Sequence, residues 1–458
     1  MTITKMSPRR ERCPGDLYKE AFIEDIYRGS RDLIGQDIRV CGWVHRIRDL
    51  GRLKFILLRD RTGVLQVVVK KGESPDDVVE ASEELKLESV VCYSGKLVES
   101  KSKLGIELKA SKLEILSIPV EPLPLEPDTS TDAGLATRLN YRWLDVRNPK
   151  ISKIFQFKAW VAKVFRDYYS SQRFVEIFTP KIVAAGTESG AEVFPVLYFG
   201  KEAFLAQSPQ FYKQMAVIAG LERVFEIGPV FRAEPHHTTR HLTEYHSMDI
   251  ELGFIEGPED VMKQVEGFFK KLAEELVRDP LAKAIAEEFQ AEIIVPKEIP
   301  RISIRDAYKI LEEEYGKKIP YGDDLDPEGE RLLGKYVREK YDSDLVFVTE
   351  YPWGSRPFYT MRLEDEPEWT TGFDLLMKGL EVVTGSQREH RYEVLLANLR
   401  DKGLKPEAFQ FYLDFFKHGA PPHGGAGMGL ERIVMQTLGL DNIREARLLP
   451  RDPDRLLP

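Results

Sequence analysis

The chain has 458 residues, 42% hydrophobic and 31% charged, with a formal net charge of −9. That length exceeds one average domain and suggests two or three; the acidic balance argues against nonspecific wrapping of nucleic acid, and no DNA partner is expected. No apolar run approaches the roughly 18 residues of a membrane span and MTITKMSPRRERC lacks an apolar leader, so a cytoplasmic protein without a membrane partner is expected.

Residues 1–30 have weak periodicity and read as an N-terminal extension. From 37 to 118 the pattern is short and alternating: DIRVCGWVHRIRD, KFILLRDRTGVLQVVVK, SVVCYSGKLVES and GIELKASKLEILS supply about five strands, with turns at RTG and near SKLG and a short helix at VVEASEELK. That count predicts a five-stranded barrel of the oligonucleotide-binding (OB) kind over 31–118. Between Arg39 and Arg61 it carries seven Lys or Arg against two acids, a local basic face in an acidic protein. Cys13, Cys41 and Cys92 are widely spaced and odd in number, so neither a disulfide framework nor a zinc ribbon is indicated.

PVEPLPLEPD opens a stiff, proline-rich linker over 119–135, and a second domain is expected over 136–458. Ile151, Ile154, Phe155, Val161, Phe165 and Tyr168 recur at helical steps, and the helix runs into FVEIFTPKI, a β-rich segment stopped by Pro180. Apolar strands at LERVFEIGPVFRA, YHSMDIELGFI, SDLVFVTEYP, PFYTMRLE, TTGFDLLMKGLEVVTGS and GAGMGLERIVMQTLG follow, with helices near 260–290 and 390–415. Close turns between many strands predict an α+β domain, an antiparallel sheet flanked by helices, without the repeating βαβ of a dinucleotide fold.

FRAEPHHTTRHLTEYHSMDIE concentrates the chemistry. Arg232 and Glu234 stand two apart, as do Asp249 and Glu251 on the next strand, so each pair shares a face. Ions on successive strands of a sheet entering the interior point to a lined cleft, since buried ions cost several kcal/mol unless paired. A solvated sheet face with salt bridges is the competing reading. Asp374 and Glu381 stand across a hairpin at MKG with Thr384 nearby; such oxygen donors suit Mg²⁺ bridging phosphates, although surface hairpins carry acids too. Arg388 follows as a planar fork able to grip a carboxylate. The glycines of GAGMGLER let a strand approach a flat ligand, and the helix that follows carries Arg432.

FRAE…TRHLTE…MDIE resembles motif 2 of the class II aminoacyl-tRNA synthetases, GAGMGLER resembles motif 3, and FVEIFTPKI resembles motif 1 with its proline at Pro180. Together with GWVHRIRDLGRLKFILLRDRTGVLQVVV and the terminal RDPDRLLP, the chain is similar over about 37–458 to the archaeal type of aspartyl-tRNA synthetase. The resemblance implies ATP-dependent activation of aspartate, with Mg²⁺, and transfer to tRNA(Asp). It implies that Arg232 and Arg432 are catalytic, and that Arg232, Glu234, Arg240, His241, Glu381 and Arg432 meet ATP, His236 and His237 belonging to the same mobile loop. Asp374, Glu381 and Thr384 would hold the metal. Glu188, Gln210, Lys213, Asp249 and Arg388 would bind aspartate, Lys213 and Arg388 clamping its β-carboxylate, with Ser208 capping the helix that presents Gln210 and Lys213. A homodimer through motif 1 is implied.

In the barrel, Phe55 and Gln66 sit where the family stacks and hydrogen-bonds anticodon bases, with Arg46 and Arg48 on the basic stretch; Phe55 also fits an ordinary core position, and Trp43 reads as core. Members that charge only tRNA(Asp) tend to have tryptophan where this chain has His45 and a lysine matched by Lys103; those that also charge tRNA(Asn) tend to have histidine, and a proline in that loop. This chain has His45 with Ser102 and Lys103 and no proline. The balance leans to relaxed recognition, with an amidotransferase partner converting Asp-tRNA(Asn). The alternatives are an asparaginyl-tRNA synthetase, which shares barrel and motifs, and a non-catalytic RNA-binding paralogue, which has no reason to keep Arg232, Asp374, Glu381, Arg388 and Arg432 together.

Overall fold

The computed structural model describes Lys19 and residues 21–184, 186, 192–235 and 237–458. The chain divides into two compact units, one through Ser152 and one from Lys153 onward.

In the first unit, strands β1 (Asp37–Asp49), β2 (Leu53–Asp60), β3 (Gly63–Lys70), β4 (Val90–Glu99) and β5 (Ile106–Ser117) close into a barrel in the order β1-β2-β3-β5-β4. Alternation does the sorting: Ile38, Val40, Val44, Ile56, Leu58, Leu65, Val67 and Leu108 turn inward, each such side chain stabilising the fold by roughly 1.5–3 kcal/mol. Two expectations change here. Cys41 and Cys92 face each other in the β1–β4 register and form a disulfide; spacing along the sequence hid a pairing that only strand register creates. The expected extension contributes the helix Ile23–Arg28, whose Ile23 and Ile26 belong to the barrel core.

The basic stretch is less basic than its composition. Arg39 pairs with Glu114 at 2.5 Å, Arg59 with Glu88 at 2.7 Å, and the buried Lys54 with Glu83 at 3.0 Å. The proline-rich linker is also anchored: Asp128, in a 3₁₀ turn Pro127–Asp132, accepts from Arg46 at 2.8 Å, and Arg147 reaches Glu88 at 3.0 Å. Residues 119–148 therefore pack with the barrel unit.

The second unit begins within the helix Pro149–Ser171. Its strands are β6 (Val175–Glu176), β7 (Ile182–Val183), β8 (Pro195–Tyr198), β9 (Lys201–Leu205), β10 (Arg223–Phe231), β11 (Glu244–Gly253), β12 (Arg301–Ser303), β13 (Leu345–Thr349), β14 (Phe373–Met377), β15 (Leu380–Gln387) and β16 (His423–Gly429). Eight form the main sheet in the order β12-β13-β14-β15-β16-β11-β10-β6, while β7, β9 and β8 form a small one. The central pairs are antiparallel; β6 and β12 join the edges in parallel. The helix Pro258–Arg278 packs on β15 and β16, burying Val261, Val265, Phe268, Phe269 and Leu272.

FVEIFTPKI yields the two residues of β6 and, past Pro180, the first residue of β7, and PFYTMRLE is no strand but a loop with isolated bridges at Thr360 and Arg362. Consecutive Phe358 and Tyr359 are both buried, against Phe211, Leu395 and Tyr412, which a two-sided strand pattern cannot accommodate. The expected helix at 260–290 is two, because Asp279 ends the first and caps the second, accepting from the amides of Leu281 and Ala282 at 2.9 Å. Among the described residues, no helix is long and apolar enough to cross a membrane.

Candidate active site

The two acids of β11 define the floor of the site. Met248, Ile250 and Leu252 are buried in the apolar core, so strand alternation sends Asp249 and Glu251 to the opposite face. Across from them in the ladder stand Gly427 and Gly425 of β16. A Cβ on Gly425 would lie 2.1 Å from Glu251 Oε2 and 2.2 Å from the Ile250 carbonyl oxygen, and one on Gly427 3.2 Å from Asp249 Oδ1. The glycine-rich strand thus makes room for carboxylates of its neighbour.

Both carboxylates are buried and paired. Lys213, on the helix Gln210–Ala216, donates to Asp249 Oδ1 at 2.8 Å and to the Ala426 carbonyl at 3.2 Å. Arg388, at the end of β15, forks onto Glu251 at 3.0 and 3.3 Å and donates to Ser386 Oγ at 2.7 Å and Gln210 Oε1 at 3.2 Å. Burial works to raise the Glu251 carboxyl, but Arg388 and Lys213 outweigh it and hold the group below its ordinary value. Lys213 also lies 3.5 Å from Glu251 Oε2, so its three N–H groups all face acceptors, whereas the bonds of Arg388 leave it one N–H. Gln210 donates through Nε2 to Gln214 at 3.0 Å, which also takes the Tyr412 hydroxyl at 3.0 Å. Its amide oxygen holds Arg388. Gln210 begins its helix after Pro209, one residue later than expected, and its N–H bonds Ser208 Oγ at 3.3 Å.

Of these groups, Gln210, Lys213, Asp249, Ser386 and Arg388 line a cavity of about 370 Å³ that also takes in Arg232, Glu234, Arg240, His241, Glu381, Thr384 and Arg432, with Glu251 behind Arg388. Strand β10 stops at Phe231, so Arg232 and Glu234 sit just past the strand; Arg232 N–H still bonds the Thr243 carbonyl at 2.9 Å, and its guanidinium lies 5.8 Å from the Tyr245 ring centre. Arg432, from the helix Leu430–Leu438, donates to the Glu381 carbonyl at 2.8 Å. Arg240 is held at 2.6 Å by Glu330, whose carboxyl burial pushes up to about 7 despite that arginine. Glu188 and His236 lie outside the described residues. In the cavity lining, Glu431 is held by Lys158 at 2.6 Å and His246 at 2.9 Å; they overcome burial and hold its carboxyl down at about 2.

The metal candidates divide. A two-residue turn at Lys378–Gly379, both at positive φ, joins β14 to β15, and a bulge after Leu375 lets Glu381 and Thr384, three apart, line the same cavity. A carboxylate and a hydroxyl suit a Mg²⁺ that keeps waters and phosphate oxygens; among the described residues no cluster of three or more His, Cys, Asp or Glu could hold a metal. Asp374 is engaged otherwise, its two oxygens taken by Arg356 at 3.0 and 2.7 Å. Arg356 was not singled out in the sequence: it falls between SDLVFVTEYP and PFYTMRLE, and its partner Asp374 is 18 residues on.

The barrel carries a second cavity, of about 730 Å³, lined by Arg46, Arg48, Phe55, Gln66, Ser100 and Glu107 among others. Phe55 and Leu57 alternate with the core residues Ile56 and Leu58, so Phe55 is on the groove face. Gln66 Nε2 donates to Glu107 at 2.8 Å, which Ser100 also holds at 2.7 Å; Glu107 was missed because β5 pairs with β3 only through the barrel's closure. Lys103 is exposed in the adjoining loop. His45 does not line the groove: as the extra residue of a bulge in β1 it meets Arg59 through Nδ1 at 2.9 Å and Asp128 through Nε2 at 3.0 Å. Burial, opposed by Asp128, lowers its pKa.

A glycine-lined sheet with arginines at a cavity in one unit, and a barrel with an aromatic groove in the other, define a protein that handles a nucleotide and a single-stranded nucleic acid. Residues 134–453 match the family model of class II tRNA synthetases (D, K and N), residues 38–116 match that of the OB-fold nucleic acid binding domain, and the chain belongs to the class II tRNA synthetase family. Relatives include the aspartate–tRNA(Asp/Asn) ligase of Aeropyrum pernix, 67% identical over 96% of this chain and 100% of that protein. The aspartate–tRNA(Asp) ligase of Pyrococcus abyssi is 45% identical over 94% of this chain and 98% of its own. Among solved structures, the asparaginyl-tRNA synthetase of Pyrococcus horikoshii complexed with asparaginyl-adenylate superimposes with a TM-score of 0.89 at 33% identity, covering 96% of this chain and 100% of that one.

Proposed function

We propose that the protein is an aspartate–tRNA ligase: it activates L-aspartate with ATP to aspartyl-adenylate and transfers the aspartyl group to the 3′ end of tRNA(Asp). The observation that carries this reading is the pair of buried cations at the cavity, Lys213 and Arg388, of which Arg388 keeps one N–H beyond its bonds to Glu251, Ser386 and Gln210. Two cationic side chains, neither of which can accept a hydrogen bond, suit a β-carboxylate. The amide of asparagine would turn an N–H toward one of them, and such a mismatch at a buried site costs several kcal/mol. Relatedness to both aspartate and asparagine enzymes makes this the discriminating feature.

The chemistry needs no covalent nucleophile on the protein. The substrate carboxylate attacks the α-phosphorus in line and pyrophosphate leaves; Arg232 meets the charge at the α-phosphate and Arg432 that at the γ end, while Glu234, Arg240 and His241 orient the nucleotide. Glu381 and Thr384 would hold Mg²⁺, which when bound neutralises phosphate charge. The tRNA terminal hydroxyl then attacks the carbonyl of the mixed anhydride, the acyl–phosphate bond breaks and AMP leaves, with Phe55 and Gln66 holding the anticodon on the barrel (31–118) and Arg46, Arg48 and Lys103 beside it. Glu188 and Asp249 would receive the substrate ammonium.

The 67% identity to an enzyme named for both tRNAs supports charging of tRNA(Asn) too, with an amidotransferase taking up the product. We further infer a homodimer through the segment ending at Pro180, to be checked by sedimentation. Its substrates are cytoplasmic, and we assign the protein there. The decisive assay is ATP–pyrophosphate exchange with aspartate against asparagine, followed by charging of tRNA(Asp) and tRNA(Asn) transcripts. Exchange that responds to asparagine and not aspartate overturns the substrate; absent Asp-tRNA(Asn) overturns the relaxed recognition alone.

A further inference from the structure

Arg356 is the most elaborately held cation at the cavity that no motif accounts for. Its guanidinium forks onto both oxygens of Asp374, donates to Thr384 Oγ1 at 2.9 Å, and stacks 3.7 Å from the Tyr351 ring centre. Room for it is built in: a Cβ on Gly372 would lie 3.4 Å from its Cδ and Nε. Arg356 lines the cavity, whereas Asp374, 6% exposed, is not among the lining residues described.

A carboxylate gripped at both oxygens by a planar fork is poorly disposed to ligate a metal. To do so it would have to release Arg356, leaving an enclosed guanidinium without its partner beside a divalent ion. The reverse arrangement fits these contacts: the acid fixes the arginine, the tyrosine face fixes its plane, and after these bonds one N–H of Nη2 and the N–H of Nε remain, the latter buried without a hydrogen-bond partner. Fixed donors beside Glu381 and Thr384 are what a polyphosphate chain requires.

We propose that Arg356 is a further residue that binds the polyphosphate of ATP, and that Asp374 is a positioning residue acting through Arg356 and not a ligand to magnesium. This rests on the ATP-binding reading above and corrects one member of the metal set expected from the sequence.

The test uses the full chain and four variants: Asp374→Asn, Arg356→Met, their double variant, and Arg356→Lys. Mn²⁺ bound in the presence of a non-hydrolysable ATP analogue is counted by the EPR signal of the free ion, and kcat/KM for ATP and for aspartate are measured by pyrophosphate exchange. Asp374→Asn should leave Mn²⁺ stoichiometry and affinity at the wild-type level. It and Arg356→Met should each lower kcat/KM for ATP by about 10- to 100-fold with KM for aspartate unchanged, and the double variant should be no worse than Arg356→Met. Loss of a bound Mn²⁺ in Asp374→Asn but not in Arg356→Met, or additive losses in the double variant, overturns the proposal. If Asp374→Asn does not fold, Arg356→Lys decides: weakened analogue binding at unchanged Mn²⁺ count supports it, and wild-type analogue binding overturns it. A wild-type protein without aspartate-dependent exchange would instead defeat the aspartate-activating function itself.

Discussion

Arg388 and Glu251 form a two-point ion pair at the buried end of the active-site cavity, at 3.0 and 3.3 Å, with Glu251 fully enclosed. Glu251→Ala would leave the guanidinium unpaired, so unfolding measurements should show a loss of about 3–5 kcal/mol. Glu251→Gln, which keeps shape but not charge, should raise KM for aspartate while sparing ATP. A wild-type KM for aspartate in that variant would mean that Arg388 is positioned by something else.

The two glycines of β16 should differ in a set order. Gly425→Ala drives a methyl group into the Ile250 carbonyl and the Glu251 carboxylate, both within 2.2 Å, and backbone cannot yield. Overpacking of this kind costs about 1–3 kcal/mol or more. Gly427→Ala, 3.2 Å from the Asp249 carboxylate, should cost less. Comparing their Tm values checks the order; equal shifts would contradict it.

Glu431 predicts an acid limb of stability. Its folded carboxyl titrates at about 2 against an ordinary 4.5, so its contribution is present above pH 4.5 and fades as pH falls toward 2. The difference corresponds to on the order of 3 kcal/mol. Denaturant unfolding of Glu431→Gln between pH 2 and 6 should be flatter than that of the wild type.

Glu330 should behave with the opposite sign. With a folded value of about 7 against 4.5, the folded state holds the proton more tightly, so stability is lost as pH rises between those values. Glu330→Gln lacks that loss, and its stability relative to the wild type should improve from pH 5 to pH 8 by on the order of 3 kcal/mol. A constant difference across that range would show that the site does not titrate there.

Phe55→Ala should separate the two halves of the reaction. Loss of a stacking platform is worth about 1–3 kcal/mol per base, so KM for tRNA should rise by roughly 5- to 100-fold. Aspartate-dependent pyrophosphate exchange, which needs no tRNA, should be unchanged.

Much of this was legible in the sequence because it is local. The barrel strands follow from alternation, and Asp249 and Glu251 share a face because they are two apart. What was not legible depends on contacts between distant residues. The Cys41–Cys92 bridge, the hold of Glu107 on Gln66 and that of Arg356 on Asp374 join residues 51, 41 and 18 positions apart. The glycines of β16 were read as space for a ligand; Gly427 and Gly429 do line the cavity, and Gly425 and Gly427 also make space for neighbouring carboxylates. His45 was read as a base contact, but a bulge turns it to Asp128 and Arg59.

The disulfide has a mechanical consequence. A closed ring of five strands can open only by parting one of its five seams, and Cys41–Cys92 rivets the seam between β1 and β4. The parallel seam between β3 and β5 is joined over only three residue pairs, and one of these is Gln66 with Glu107. Breathing of the barrel is thereby directed to the floor of the groove, where a splayed base would be received, and amide protons there should exchange before those beside the cystine.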